Sequence, residues 1–158
     1  MTETTQPKPS PQVPRWIVRT IWFGHRTLYR LTGGRFGLRT PNDTRWGMLR
    51  LRTTGRRSGK ERIAILGYIE VGPNLVTPAM NGWADPEPAW LLNLQANPIA
   101  TVELPDGTRR AVRARTAVGE ERAHLWRELV DLGTAAYTDA NAALRSRETA
   151  IVVLEPSR

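Results

Sequence analysis

Residues 47–70 read GMLRLRTTGRRSGKERIAILGYIE. Apolar residues alternate with arginine before the glycines, and a β-branched apolar run follows them. That pattern predicts a strand at 47–53, a turn, and a second strand at 62–70. The tip, Thr53–Arg62 (TTGRRSGKER), holds two glycines, three hydroxyl side chains and four cations in ten residues. A hairpin turn needs far less charge than this. Gly55 and Gly59 would let the backbone turn its N–H groups inward as an anion-binding nest. Thr53, Thr54 and Ser58 add hydroxyl donors, and the planar guanidinium forks of Arg56, Arg57 and Arg62, with Lys60, suit phosphate or carboxylate. The spacing is not that of a Walker loop. A solvated turn with scattered charge, a phosphate site and a nucleic-acid contact all remain open on composition alone.

Further strands are predicted at 74–79 (NLVTPA), 99–104 (IATVEL), 109–117 (RRAVRARTA) and 149–154 (TAIVVL). Turn signals at Gly72-Pro73-Asn74 and Pro105-Asp106-Gly107 separate them. Short helices are predicted at 88–96, behind a proline, and at 120–132, with a further helical segment at about 138–147. Strands interrupted by helices, without the alternation of a dinucleotide fold, imply an α+β, mainly β protein. Its antiparallel sheet would curl into a barrel with peripheral helices.

Residues 1–14 are polar and proline-rich, which predicts a disordered tail, and 15–158 are read as a single domain. Residues 15–31 (RWIVRTIWFGHRTLYRL) have apolar residues at helical spacing and arginines on the other side. This N-terminal amphipathic helix either packs on its own domain or lies on an anionic membrane with Trp16 and Trp22 at headgroup depth. No run of apolar residues is long enough to span a bilayer, and no secretory signal is recognisable. The expected location is cytoplasmic, peripheral at the inner membrane face if the helix binds lipid.

The 158 residues carry 23 Lys+Arg against 15 Asp+Glu, a net charge of +8, so the surface should attract anions. There is no cysteine, and His25 and His124 are the only histidines. Disulfides, thiolate sites and cysteine nucleophiles are excluded, and no metal site is expected. Neither a Ser-His-Asp arrangement nor a paired acid and base can be picked out. An anion loop without catalytic side chains points to a cofactor that brings the chemistry.

A second feature is residues 88–98, PAWLLNLQANP, where Trp90 and Asn93 share a helix face. They read either as a core tryptophan with a loop-bracing asparagine or as a ligand surface. Taken together, TTGRRSGKER and PAWLLNLQANP resemble the deazaflavin-dependent nitroreductase and quinone reductase family, whose actinobacterial members carry a similar glycine-arginine hairpin and a similar P-x-W-x-L-N-L-x-A-N-P segment. The resemblance runs from about Trp16 to Pro156.

That resemblance implies a split β-barrel binding coenzyme F420, a 5-deazaflavin with a ribityl phosphate and a polyglutamate tail. By it, Thr54, Gly55, Arg56, Arg57 and Ser58 would hold the phosphate with Arg62. Trp90 and Asn93 would line the same groove, and Pro78, Ala79 and Met80 would run along the ring. Met80 and Asn81 stand where many relatives have a serine and a lysine, and Trp83 replaces a glycine, so the acceptor pocket is remodelled. Tyr137 is the candidate proton donor. The implied activity is hydride transfer from reduced F420 to a quinone, conjugated carbonyl or nitro compound. The alternative is a non-catalytic binder of the deazaflavin or a lipid-like ligand on the same barrel. Nucleic acid is not an expected partner, while split barrels commonly form homodimers.

Overall fold

The computed structural model describes residues 37–80, 86–132 and 147–157. The tail, the basic helix at 15–31, the segment at 138–146, and the candidate residues Asn81, Trp83 and Tyr137 lie outside them.

Six antiparallel strands close into a barrel in the order β1-β2-β3-β6-β5-β4. These are β1 (Gly47–Thr54), β2 (Glu61–Val71), β3 (Asn74–Pro78), β4 (Ile99–Glu103), β5 (Arg109–Thr116) and β6 (Ile151–Pro156). Helix α1 (Ala89–Ala96) precedes β4, and α2 (Gly119–Asp131) precedes β6. The predicted strands, and the two of the predicted helices that fall on described residues, are present, with ends shifted by one or two residues. Hairpins join β1 to β2, β2 to β3 and β4 to β5, whereas β6 is inserted between β3 and β5 by long-range pairing.

Strand alternation decides what each wall buries. On β1, Leu49, Leu51 and Thr53 are buried within, and the strand's arginines belong to the outer face. The interior is filled by Leu49, Leu51, Tyr68, Val102, Val112 and Leu154, and Trp90, Leu91 and Leu94 of α1 join the same cluster. Helix α1 therefore packs into the barrel core. Burial pushes the Tyr68 phenol up to about 12, so it stays neutral in the core at ordinary pH.

A second core lies outside the wall. Ile69, Val76, Ile151 and Val153 face Leu125 and Leu129 of α2. Strands β3 and β6 are thus covered on both faces, which explains why they read as continuous apolar runs rather than alternating ones. Trp46 completes this layer by donating its indole N–H to the Leu129 carbonyl at 2.8 Å. Its ring lies against Gly67, where a Cβ would come within 2.7 Å of it. Arg115 of β5 ties the layer down with two 2.7 Å bonds to Glu121 of α2 and one, also 2.7 Å, to Glu155 beside it on β6. The paired guanidinium holds the Glu121 carboxyl below its ordinary range.

Candidate functional site

The β1–β2 tip is a tight, self-bonded turn. Gly55 N–H donates to the Lys60 carbonyl at 2.8 Å, and the Gly55 carbonyl accepts from Ser58 at 3.2 Å and Gly59 at 2.8 Å. Gly59 takes φ +65°, a left-handed conformation that favours glycine. The Lys60 N–H reaches Ser58 Oγ at 3.4 Å. With these N–H groups committed inside the turn, the inward-facing nest expected from the two glycines is not what the loop offers. An N–H that closes the turn is not also free for a ligand. Anion binding falls to the side chains.

Asn93 seats the loop on the barrel. It is 4% exposed and joins three segments. Its Nδ2 donates to Thr53 Oγ1 at 3.1 Å, and its Oδ1 accepts from the Arg56 N–H at 3.1 Å and from Arg56 Nη1 at 3.5 Å. An amide is suited to this position because it donates and accepts at once, which a carboxylate of the same shape does not do. Arg62 Nη2 reaches Ser58 Oγ at 3.3 Å across the turn. The structure thus brings together Thr53, Arg56, Ser58, Arg62 and Asn93, while Gly55 is buried beneath them and Thr54 and Arg57 are exposed at the rim. A cleft of about 330 Å³ opens beside the tip, lined by Thr53, Thr54 and Gly59, by the paired Arg52 and Glu61, and by Asn97 and the start of β4.

The charge on this tip has no carboxylate partner among the described residues: none lies within ion-pair distance of Arg56, Arg57, Lys60 or Arg62. Glu61, the one acid between them, is on the opposite side of its strand and pairs with Arg52 at 2.6 Å. Four cations and a hydroxyl on a rigid seat form a donor set that fits a phosphate with carboxylates beyond it.

The other candidate segment continues β3. Pro78 and Ala79 are buried and Met80 is half-buried. The Ala79 N–H donates to the Ala150 carbonyl at 2.7 Å, and the Met80 N–H folds back to the Pro78 carbonyl at 2.9 Å. Trp90 is 8% exposed and shares the barrel core with Ala79. Arg147 was not among the residues singled out from the sequence, where nothing local distinguishes it. It donates from Nη2 to the Ala79 carbonyl at 3.3 Å. No group of three potential metal ligands occurs among the described residues. None of their helices is long and apolar enough to cross a membrane.

Comparison with known proteins addresses the family. Residues 22–156 match the family model for F420H(2)-dependent quinone reductases. A Mycobacterium tuberculosis protein named F420H(2)-dependent quinone reductase is 31% identical over 149 residues, covering 90% of this chain and 97% of its own. Another M. tuberculosis protein is 34% identical over 122 residues, covering 76% of this chain and 95% of its own. Among solved structures, an F420-H2 dependent reductase superimposes with a TM-score of 0.61 at 28% identity, covering 68% of this chain and 93% of that one. A second, described as a domain-swapped dimer, gives 0.62 at 27% identity and covers 87% and 99%. Hairpin, core-packed helix and closing strand all fall within the matched residues, and the chain belongs to the F420H2-dependent quinone reductase family.

Proposed function

We propose that this protein reduces quinones at the expense of reduced coenzyme F420, with the β1–β2 tip as the seat for the cofactor's phosphate. The observation that carries the reading is the tip itself. It holds four cations without a carboxylate partner among the described residues, fixed to the barrel through Asn93. When bound, the reduced deazaflavin supplies a hydride to an electrophilic acceptor.

The residues of the chain then have binding and orienting work to do. Arg56, Arg57 and Arg62 neutralise the phosphate, with Ser58 as an additional hydrogen-bond partner. Lys60 extends the positive field toward the carboxylates of the tail. Asn93 acts one step back, holding the Arg56 backbone so that its guanidinium starts from a fixed point. Pro78, Ala79 and Met80 form the apolar surface for the ring, and Trp90 supports Ala79 from the barrel core. Restricting the cofactor in this way lowers the entropic cost of meeting the acceptor. Asn81 and Tyr137 are assigned from resemblance alone, Asn81 as a cofactor contact where relatives carry a lysine and Tyr137 as a proton donor.

The test is to mix the full chain with reduced F420 and menadione and follow the appearance of the oxidised cofactor by absorbance. Turnover that saturates in both substrates is the expected result. Tight cofactor binding with no turnover on any quinone would leave a deazaflavin carrier instead, and absence of binding would remove the reading altogether.

A further inference from the structure

Arg147 lies ahead of β6, far in sequence from the residues it touches. Its Nη2 donates both to the Ala79 carbonyl at 3.3 Å and to the Pro86 carbonyl at 3.5 Å. One of these closes the β3 end and the other precedes α1, so one guanidinium joins the two elements that supply Pro78–Met80 and Trp90. The Ala79 peptide is held on its other side as well, through the Ala150 carbonyl at 2.7 Å.

The stretch that carries Arg147 is itself pinned to α2. Arg122 donates to the Thr149 carbonyl at 2.9 Å and pairs with Glu148 at 2.8 Å. The same guanidinium lies 5.8 Å from the centre of the Trp126 ring. The path from α2 through residues 147–150 to Ala79 is thus a continuous set of bonds, and Arg147 is the member that reaches the candidate ring surface through its side chain.

We infer that Arg147 is a positioning residue for the deazaflavin ring, holding the backbone of Pro78–Met80 where the ring must lie. This rests on the reading of Pro78–Met80 as the ring-side segment. Through Nη2 the guanidinium bonds carbonyls of two different segments at once, and its rigid plane holds that nitrogen in place better than a lysine ammonium on its flexible stem would. Loss of the arginine takes a donor from the buried Ala79 carbonyl and a tie from the segment, which is then freer to shift. Displacement of a reacting partner by a fraction of an ångström to an ångström is enough to slow transfer markedly.

The experiment compares the full chain with Arg147→Ala and Arg147→Lys by three measurements. These are amide hydrogen exchange without cofactor, affinity and visible spectrum with oxidised F420, and steady-state kinetics with menadione. In Arg147→Ala, exchange at Ala79 and Met80 should quicken, the bound spectrum should shift, and kcat should fall about tenfold. The contribution of the phosphate loop should persist, so KM for F420 should change less than kcat. Arg147→Lys should recover part of each effect, and it carries the comparison if the alanine variant does not fold. Unchanged exchange, or faster exchange with an unshifted spectrum and wild-type kcat per folded molecule, would overturn the inference. If the wild-type chain binds no F420, the functional reading fails first and the role of Arg147 at a ring site fails with it.

Discussion

Two arginine-rich regions lie a few residues apart on β1 and its hairpin, and the protein treats them in opposite ways. On the outer wall, Glu103 gathers Arg50 at 3.2 Å, Arg52 at 3.5 Å and Arg109 at 3.4 Å, and Arg52 also holds Glu61. At the tip, Arg56, Arg57, Lys60 and Arg62 have no such partner among the described residues. Wall arginines serve the fold, since a buried guanidinium such as Arg50 must be compensated to be tolerated. Tip cations are exposed, so solvent bears the cost of their charge until a ligand arrives. The same residue type thus serves the fold in one place and, on the proposed function, binding in the other. The sorting criterion is the presence of a carboxylate rather than the arginine itself.

The comparison breaks most visibly through stability. Glu103→Ala leaves the buried Arg50 guanidinium without that carboxylate and should cost about 3 kcal/mol in a denaturant titration. F420 affinity in the folded fraction should stay near wild type. A large loss of affinity instead would mean that wall and tip are one electrostatic unit. Asn93→Leu tests the junction between the regions. It strands the Thr53 hydroxyl and the Arg56 N–H, which should cost about 2 kcal/mol, and cofactor binding should weaken with it. Unaltered binding would show that the tip keeps its geometry unaided. The smallest effect belongs to the tip. Arg56→Ala or Arg57→Ala should each weaken F420 about tenfold, near 1.4 kcal/mol, with an unchanged denaturation midpoint. The wild-type affinity should also decline as salt rises. A falling midpoint would place these residues with the wall after all.

Much of the barrel was legible in the sequence because its signals are local. Arg50 and Arg52 alternate with Leu49 and Leu51, and the turns at Gly72 and Gly107 separate the hairpins they join. The apolar run of β6 announced a strand, but its place between β3 and β5 is a long-range pairing that no local pattern encodes. The site divides in the same way. The cations of TTGRRSGKER could be read directly, whereas their seat could not. Asn93 reaches Arg56 across 37 positions. The nest was misjudged because composition does not show which N–H groups a turn will consume for itself. Arg147 left no trace, since an arginine that bonds two carbonyls looks in sequence like any other arginine.

The place of β6 in the closed barrel has a consequence for the order in which the site becomes available. Thr53, Arg56, Ser58, Arg62 and Asn93 are all synthesised before Ile151–Pro156, the strand that shuts the barrel between β3 and β5. The partners of the Ala79 peptide, Arg147 and Ala150, belong to the late part of the chain. A growing polypeptide therefore carries every residue of the proposed phosphate grip before it carries the bonds that fix the proposed ring surface. The two ends of the proposed cofactor site are products of different moments in the making of the chain.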